Sequence, residues 1–472
     1  MTKKIIDHSR RGFIKKLSGS ALLAVASPTG ITEAVTIKDK KIQILKRRSS
    51  VPANDRIAIA AIGLGIMGFG NLKAALLDEG VELVGGADCY DGHLQKIKEL
   101  YGAHIKTTRH DEEILGDPSV DAVIISTPDH WHARQALAAM QKGKAVYCEK
   151  PLVHKIEEGD ALIQMHRKTK IPFQVGSQWA SSIVMQKAKE LYEAGAIGRL
   201  NFVEVYTDRF DAKGAWQYSV PPDASTDTCD WNTFQGGATD LPFDPIRFFR
   251  WRNYKAYGTG MAGDLFVHLF TRLHTITSAK GPNRIYATGG LNYWKDGRDV
   301  PDLMLGLFDY PETSTHPAFN LSLRVNFVDG SGGGDSMRLV GNEGEMVLEG
   351  NRVTIRNKQL PKAPGYGGWD TFGTFPKKIQ EEFIAVYDQQ YKDSKQTVIP
   401  VGETIFEAPK GYDMRVDHFD NWFQAIRTGT TAVEGPEFAM RTAGPALAAN
   451  ISQQEKRIVE WDPEGIKPLQ TV

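Results

Sequence analysis

The chain has 472 residues, more than one hydrophobic core organises, and its 41% hydrophobic and 24% charged content is that of an ordinary globular protein with two or three domains. Its 57 Lys+Arg against 57 Asp+Glu leave no net field to attract nucleic acid or an anionic membrane, and no apolar run approaches the ~20 residues that span a bilayer. The 3 cysteines, Cys89, Cys148 and Cys229, are too scattered for a disulfide framework or a metal site and read as small core residues.

In chain order, Ser9-Arg10-Arg11-Gly12-Phe13-Ile14-Lys15 looks like a twin-arginine export signal. The arginine pair, the Phe and the Lys each fall at the expected offset, and a mildly apolar stretch ends in the small-residue site Ala24-Val25-Ala26. Residues 1–26 are therefore expected to be removed after the twin-arginine translocase delivers the protein, folded, to the periplasm. No cysteine follows to carry a lipid anchor, so no stable membrane anchor is expected. Residues 27–54 include the basic patch Lys46-Arg47-Arg48 and have neither helical nor strand periodicity. They read as an extended arm or linker, either solvated or wrapped over a neighbouring subunit or the cofactor.

From residue 55 apolar strands alternate with amphipathic helices. The strands are RIAIAAI, ELVGGAD, a short one near Ile105-Lys106-Thr107, DAVIIST, AVYCE and PFQVG. Helical patterns cover 68–78, 92–101, 111–115, 131–142 and 156–169. This alternation predicts a parallel sheet covered on both faces, a Rossmann domain over 55–175, with its ligand beyond the carboxyl ends of the strands. The first strand ends in Gly63-Leu64-Gly65-Ile66-Met67-Gly68. Gly63 allows the tight turn and Gly65 has no Cβ to block a pyrophosphate. Gly68 lets the helix pack close to the strand, while the free amides around Ile66 and Met67 face the anion. Asp88 ends the second strand, where a carboxylate hydrogen-bonds ribose hydroxyls and repels a 2′-phosphate, so NAD is expected rather than NADP. Two further strand ends are chemically rich: Ser126-Thr127-Pro128-Asp129-His130-Trp131-His132 and Cys148-Glu149-Lys150-Pro151. His-x-His without a carboxylate or cysteine partner is weak as a metal site, and no metal is expected.

GLGIMG, STPDHWH and CEKPL at these spacings resemble the Gfo/Idh/MocA family of NAD(P)-dependent oxidoreductases. So do Asp230-Trp231-Asn232, Pro242-Phe243-Asp244-Pro245, Phe248-Phe249-Arg250-Trp251-Arg252 and His418-Phe419-Asp420-Asn421-Trp422, which are similar to stretches of secreted members. The resemblance covers Asp55 to the C-terminus. It implies that Thr127, Pro128, His130 and Glu149 lie along the dinucleotide, with Lys150 at its reactive end. Residues 176–410 change character: a helix at 183–194, a strand at 201–206, a long aromatic loop, a helix at 261–278, then strands RIYATGG, LMLGLFDY, LSLRVNFV, SMRLVG, EMVLEG and RVTIRN. These predict an α+β domain with a large, mostly antiparallel sheet. The resemblance implies that its open face packs on another subunit in a homodimer or homotetramer. Helices near 377–394, 417–427 and 439–454 follow, those within 411–472 closing the fold.

Asp264 and His268 share one face of the helix at 261–278. The resemblance makes them, with Lys150, a catalytic triad, and adds Trp251 and Arg252 as substrate-binding candidates. One position departs from the family: Phe266 stands where glycine is common, and either narrows the pocket or packs behind the helix. Oxidising a secondary alcohol releases a hydride and a proton, so His268 is the natural general base. A charged Lys150 stabilises alkoxide, and Asp264 holds substrate hydroxyls or orients His268. Trp216, Tyr218, Trp231, Trp251 and Tyr254 either stack on sugar rings or fill core and interface. Three functions compete: an exported dehydrogenase of a sugar, glycoside or cyclitol hydroxyl; a glycosidase that uses NAD transiently through oxidation, elimination, water addition and re-reduction; and a non-catalytic sugar sensor, which the joint presence of Lys150, Asp264 and His268 argues against. The periplasm supplies no free NAD, so a tightly held cofactor, loaded before export, is expected.

Overall fold

A computed structural model describes residues 56–361, 363–392 and 399–469. The expected export signal and the arm at 27–54 lie outside the described residues. Strands β1 (Ile57–Ile62), β2 (Val81–Ala87), β3 (Lys106–Thr108), β4 (Ala122–Ile125), β5 (Ala145–Cys148) and β6 (Phe173–Val175) form a parallel sheet in the order β3-β2-β1-β4-β5-β6. Helices α1 (Ile66–Ala75), α2 (Asp91–Tyr101), α3 (Asp111–Gly116), α4 (Asp129–Gln141) and α5 (Glu158–Thr169) make the crossovers. Every residue of β1, β4 and β5 is buried, which is why these segments read as unbroken apolar runs. The strand order reverses between β1 and β4, and the loops diverging there open a crevice.

The rest of the chain builds the second layer. It contains α6 (Ile183–Glu193), capped by the Ser182 hydroxyl, and β7 (Leu200–Asp208). Short helices α7 (Trp231–Gln235) and α8 (Pro245–Phe249) stand in a long loop, and a π-turn (Ala262–Phe266) leads into α9 (Val267–Thr277). Then come β8 (Arg284–Gly290), β9 (Leu303–Tyr310), β10 (Phe319–Asn326), β11 (Gly334–Gly341), β12 (Gly344–Glu349), β13 (Arg352–Gln359), α10 (Lys377–Tyr391), β14 (Ile399–Glu407), α11 (Met414–Thr428), α12 (Pro436–Glu455), β15 (Val459–Asp462) and β16 (Lys467–Pro468). The 10-stranded sheet has the order β14-β13-β12-β11-β7-β10-β9-β8-β15-β16, and β7–β10 is its one parallel pair.

Alternation along the strands turns one face of this sheet inward. On β9, Met304, Phe308 and Tyr310 are buried while Leu305 and Leu307 are exposed. The inward face meets α6, α9 and α12. Ion pairs lace the strands of the outward face: Arg338 with Glu204 (2.9 Å) and Glu345 (3.5 Å), and Arg356 with Glu345 (3.4 Å) and Glu403 (2.9 Å). These pairs are partly exposed, so each contributes roughly 0.2–1 kcal/mol, and they fix register more than they stabilise.

The chain finally returns to the first sheet. Phe419, Trp422 and Phe423 of α11 join the core behind β1, β4 and β5, with Phe419 stacked on Tyr147 at 4.4 Å. His418 donates from Nε2 to the carbonyl of Val175, 243 residues earlier. α12 then lies between the layers, against α5 and β6 on one side and β8 and α9 on the other. Among the described residues no helix is long and apolar enough to cross a membrane.

Candidate active site

The crevice at the strand switch has a cavity volume of about 230 Å³. One wall is the turn after β1. Gly63 has φ +84°, and a Cβ there would stand 2.6 Å from the backbone of Ser126 and Thr127. A Cβ on Gly68 would meet the Gly63 carbonyl at 2.1 Å, so Gly68 packs the helix onto the turn and lies behind the crevice. Gly65 differs: nothing lies within 4 Å of its would-be Cβ, which would project into the space a ligand takes. The first bonded amide of α1 is Phe69, donating to the Gly65 carbonyl, so earlier amides of this turn remain available to an anion. Asp88 lines the crevice beside Ile66 and Met67, accepting from the amides of Leu64 (2.6 Å) and Tyr90 (2.8 Å), with His93 Nδ1 at 3.2 Å. The open position at Gly65, the anion-facing amides and the ribose-side carboxylate fit a dinucleotide.

The opposite wall comes from the long loop 209–260, which is strapped to the first domain at both ends. At one end Tyr90 forms a β-bridge with Cys229, the Asp91 amide donates to Thr228 O (3.0 Å) and the Asp230 amide to Cys89 O (2.7 Å). Arg109 donates to Asp91 (2.8 Å) and to the Asp227 carbonyl (2.7 Å), and the Tyr90 hydroxyl to Asp223 (2.7 Å). At the other end Trp131 Nε1 donates to Phe234 O (2.9 Å), and the Thr259 amide and hydroxyl donate to buried Asp129 (2.9 and 2.7 Å). Phe234, Phe248, Phe249 and Trp251 thereby face the glycine turn across the crevice.

Beyond β5 lies the reactive cluster. Since β1 and β4 stand between β2 and β5, Lys150 and Asp88 are separated by roughly 14 Å across the strand ends. The Lys150–Pro151 peptide is cis. Lys150 Nζ donates to the Asp264 carboxylate (2.8 Å) and to its carbonyl (2.9 Å). Asp264 lies in the π-turn, whose wider ring recurs at functional sites, and Gly263 is obligatory there because a Cβ would sit 2.1 Å from Thr259 Oγ1. Arg252 Nε reaches the same carboxylate oxygen at 3.3 Å, and its guanidinium stacks on Trp251 at 4.2 Å. Burial alone would push the Asp264 carboxyl up. The Lys150 ammonium and Arg252 guanidinium, with Arg209 further out, override it and hold Asp264 well below the usual carboxylate range. Burial and the Lys150 charge press His268 well below the ordinary imidazole value, leaving it neutral. Its Nδ1 lies 3.5 Å from Ser177 Oγ, itself 2.7 Å from Thr271.

Lys150, Asp264 and Arg252 are thus bonded to one another, and His268 sits in their field. Gly63, Gly65, Ile66, Met67, Asp88, Thr127, Pro128, Trp251 and Arg252 all line the crevice. Lys150, Asp264, His268, His130 and Glu149 are set behind that lining. His130 spends both ring nitrogens on the carbonyls of Phe234 (2.9 Å) and Tyr257 (3.2 Å), and so serves the strap. Glu149 is buried behind the wall, accepting from Asn71 (2.9 Å) and Gln178 (3.4 Å), with its carboxyl pushed up by burial. Phe266 packs behind the helix against Phe308 and leaves the pocket open. Of the aromatic run, Trp216, Trp231 and Tyr254 are core residues, while Tyr218 and Trp251 reach the crevice. Cys148 and Cys229 are buried, but Cys89 lines the crevice.

Two residues singled out in the sequence take roles it did not show. His132 bridges the two loops, with Nδ1 2.7 Å from Pro151 O and Nε2 2.9 Å from Thr127 O; the His-x-His spacing flagged it but not this role. Tyr218 brings a hydroxyl to the reactive end from a stretch with no periodic signal.

Residues 57–177 match the GFO_IDH_MocA family model, described as an oxidoreductase family with an NAD-binding Rossmann fold. The chain is 30% identical over 153 residues to scyllo-inositol 2-dehydrogenase (NAD(+)) of Bacillus subtilis, covering 32% of this chain and 44% of that one. It is 29% identical over 189 residues to levoglucosan dehydrogenase of Pseudarthrobacter phenanthrenivorans, covering 38% of this chain and 40% of that one. The chain thus spans less than half the length of these curated relatives. The solved levoglucosan dehydrogenase complex with NADH shares the fold over 86% of this chain and 99% of its own, with TM-score 0.59 and 17% identity. Residues 57–177 thus match the NAD-binding Rossmann fold of that oxidoreductase family.

Proposed function

We propose that the protein is an NAD-dependent oxidoreductase acting on a secondary hydroxyl of a sugar, glycoside or cyclitol. The observation that carries this is the buried Lys150–Asp264 pair, with His268 in its field, joined through Arg252 to the wall of an NAD-type crevice. The names of the two dehydrogenase relatives, which specify an inositol and levoglucosan, support substrates of this class. NAD, when bound, supplies the hydride acceptor. His268, kept neutral, takes the hydroxyl proton at Nε2. Lys150 Nζ, positioned by its bond to Asp264, donates to the reacting oxygen as negative charge develops on it. Trp251 and Arg252 border the substrate's place. The test is incubation of the purified chain with sugars, cyclitols and aryl glycosides while reduced nicotinamide absorbance is followed. Turnover surviving in both Lys150→Ala and His268→Ala would overturn the assignment.

The strap at 209–260 favours a retained cofactor, and with it a second function: glycoside cleavage by transient oxidation and re-reduction, in which NAD never leaves. Aglycone release without net reduction would select it. Export to the periplasm through the twin-arginine route belongs to the same proposal, and the Arg10-Arg11 motif supports it. Loss of periplasmic protein on Arg10→Lys with Arg11→Lys is the expected result. The exposed Tyr286, Leu305 and Leu307 on the outward sheet face support a homodimer or homotetramer, which light scattering would read directly.

A further inference from the structure

The reactive end is rich in donors and positive charge. Lys150 and Asp264 neutralise each other at 2.8 Å, and Arg252 reaches the same oxygen through Nε alone, at 3.3 Å. Its Nη groups, which carry the planar fork, find no acceptor among the described residues, and its side chain is 20% exposed on the crevice wall. The guanidinium is held flat on Trp251 at 4.2 Å, so the fork is oriented before any ligand arrives. Tyr218 adds a hydroxyl that has no protein partner among the described residues and lies in the field of Arg252, Asp264 and Arg209. Arg209 spends Nη1 on the Gly214 carbonyl at 2.7 Å and leaves its charge in place. The other carboxylate in range of Arg252 is Asp129, already committed to the Thr259 amide and hydroxyl. Lys150, Arg252 and Arg209 face Asp264, Asp129 and, beside Lys150, Glu149, whose carboxyl burial pushes up; the Arg252 fork is the cationic group here with no carboxylate on its Nη atoms among the described residues.

A neutral polyol supplies hydroxyls that donate as readily as they accept, and it leaves that charge unpaired. An oxyanion satisfies both the charge and the donor excess, and a carboxylate matches a guanidinium fork in shape. We propose that the substrate is an acidic sugar, a uronate in the first instance, whose oxyanion docks on the Arg252 fork with the Tyr218 hydroxyl beside it. This rests on the oxidoreductase assignment for the hydroxyl that reacts, but not for the charge preference.

The experiment uses the full chain with its NAD content measured, and matched ligand pairs: methyl glucoside against methyl glucuronide, and galactose against galacturonate, with glucose 6-phosphate to separate a carboxylate from a phosphate. Calorimetry reads binding whether or not turnover follows. The uronate of each pair should bind on the order of 10–100-fold more tightly than the neutral member, the span of a charge-assisted hydrogen bond. Arg252→Gln should collapse that ratio toward one, Arg252→Lys should leave part of it, and Tyr218→Phe should lower it a few-fold. Uronate preference without turnover upholds the charge assignment and removes the oxidoreductase. Turnover with equal KM for both members, no binding of either uronate, or a ratio untouched by Arg252→Gln overturns it. Tighter binding of glucose 6-phosphate than of either uronate overturns the carboxylate and leaves a phosphate-bearing sugar in its place.

Discussion

One wall of the crevice is backbone: Gly63, Gly65 and the first amides of α1, set by a sheet whose strands are buried along their length. The other is side chain: Phe234, Phe248, Trp251 and Arg252, carried by a loop ordered through its bonds to Tyr90, Asp91 and Asp129. The backbone wall tolerates no added methyl at Gly63 or Gly68 and meets only what every dinucleotide shares. The side-chain wall is partly a core of its own, since Phe234 and Phe248 are buried with Trp231 and Tyr257. The proposed reactive pair sits on the seam, where Lys150 from the sheet side meets Asp264 from the second layer.

The seam gives the largest expected effect. Lys150→Ala should cut turnover on the order of 10³-fold, as loss of a preorganised oxyanion donor does, while NAD content stays near wild type. Loss of NAD together with turnover would move Lys150 to the cofactor side of the comparison. Next comes a contrast within the backbone wall. Gly68→Ala should destabilise the protein by roughly 3 kcal/mol in thermal or denaturant unfolding, since its Cβ meets a carbonyl. Gly65→Ala should leave stability within ~0.5 kcal/mol yet weaken NAD binding at least tenfold, and normal binding there would show that the pyrophosphate lies elsewhere.

Acid should weaken both sides of the molecule. Burial lowers His130 and His418 to about 4 and His274 to about 3, so the folded protein keeps them neutral. Below the unfolded value of about 6.5 the unfolded chain binds protons that the folded chain refuses, so stability falls from there toward pH 4 by roughly 1 kcal/mol per histidine per pH unit. Glu149 and Glu434, pushed up by burial, act in the opposite sense and remove stability as pH rises above the ordinary carboxyl range. A melting temperature that shows no decline between pH 6.5 and about 4.5 would contradict the histidine assignments. The smallest effect belongs to the strap: Arg109→Ala frees Asp91 and the Asp227 carbonyl and should speed NAD release a few-fold with less than about 1 kcal/mol lost. An unchanged release rate would mean that the strap does not retain the cofactor.

The backbone wall was legible because its causes are local. An unbroken apolar run, a glycine turn and a carboxylate at the next strand end each state their role in their own residues. Lys150, Asp264 and His268 were reached through resemblance, and the structure then supplied the bonds among the first two. The side-chain wall was opaque because loop 209–260 has no period: its order comes from a β-bridge to Tyr90 and from Asp129, both more than a hundred residues away. Nothing in the sequence separated Trp216, whose ring meets Phe327 in the core, from Trp251 in the crevice. The bonds that turn His130 toward Phe234 and Tyr257, and Glu149 toward Asn71, were hidden for a related reason, since a strand end does not show which way a residue turns.

The return of α11 to the first sheet has a consequence for synthesis. Tyr147, Ile59 and Ile124 are covered by Phe419, Trp422 and Phe423, which leave the ribosome only after the first sheet and all of the second but β15 and β16 have been made. Until then the back of the cofactor-binding domain is an open apolar surface. The domain that begins the fold is among the last parts to be sealed.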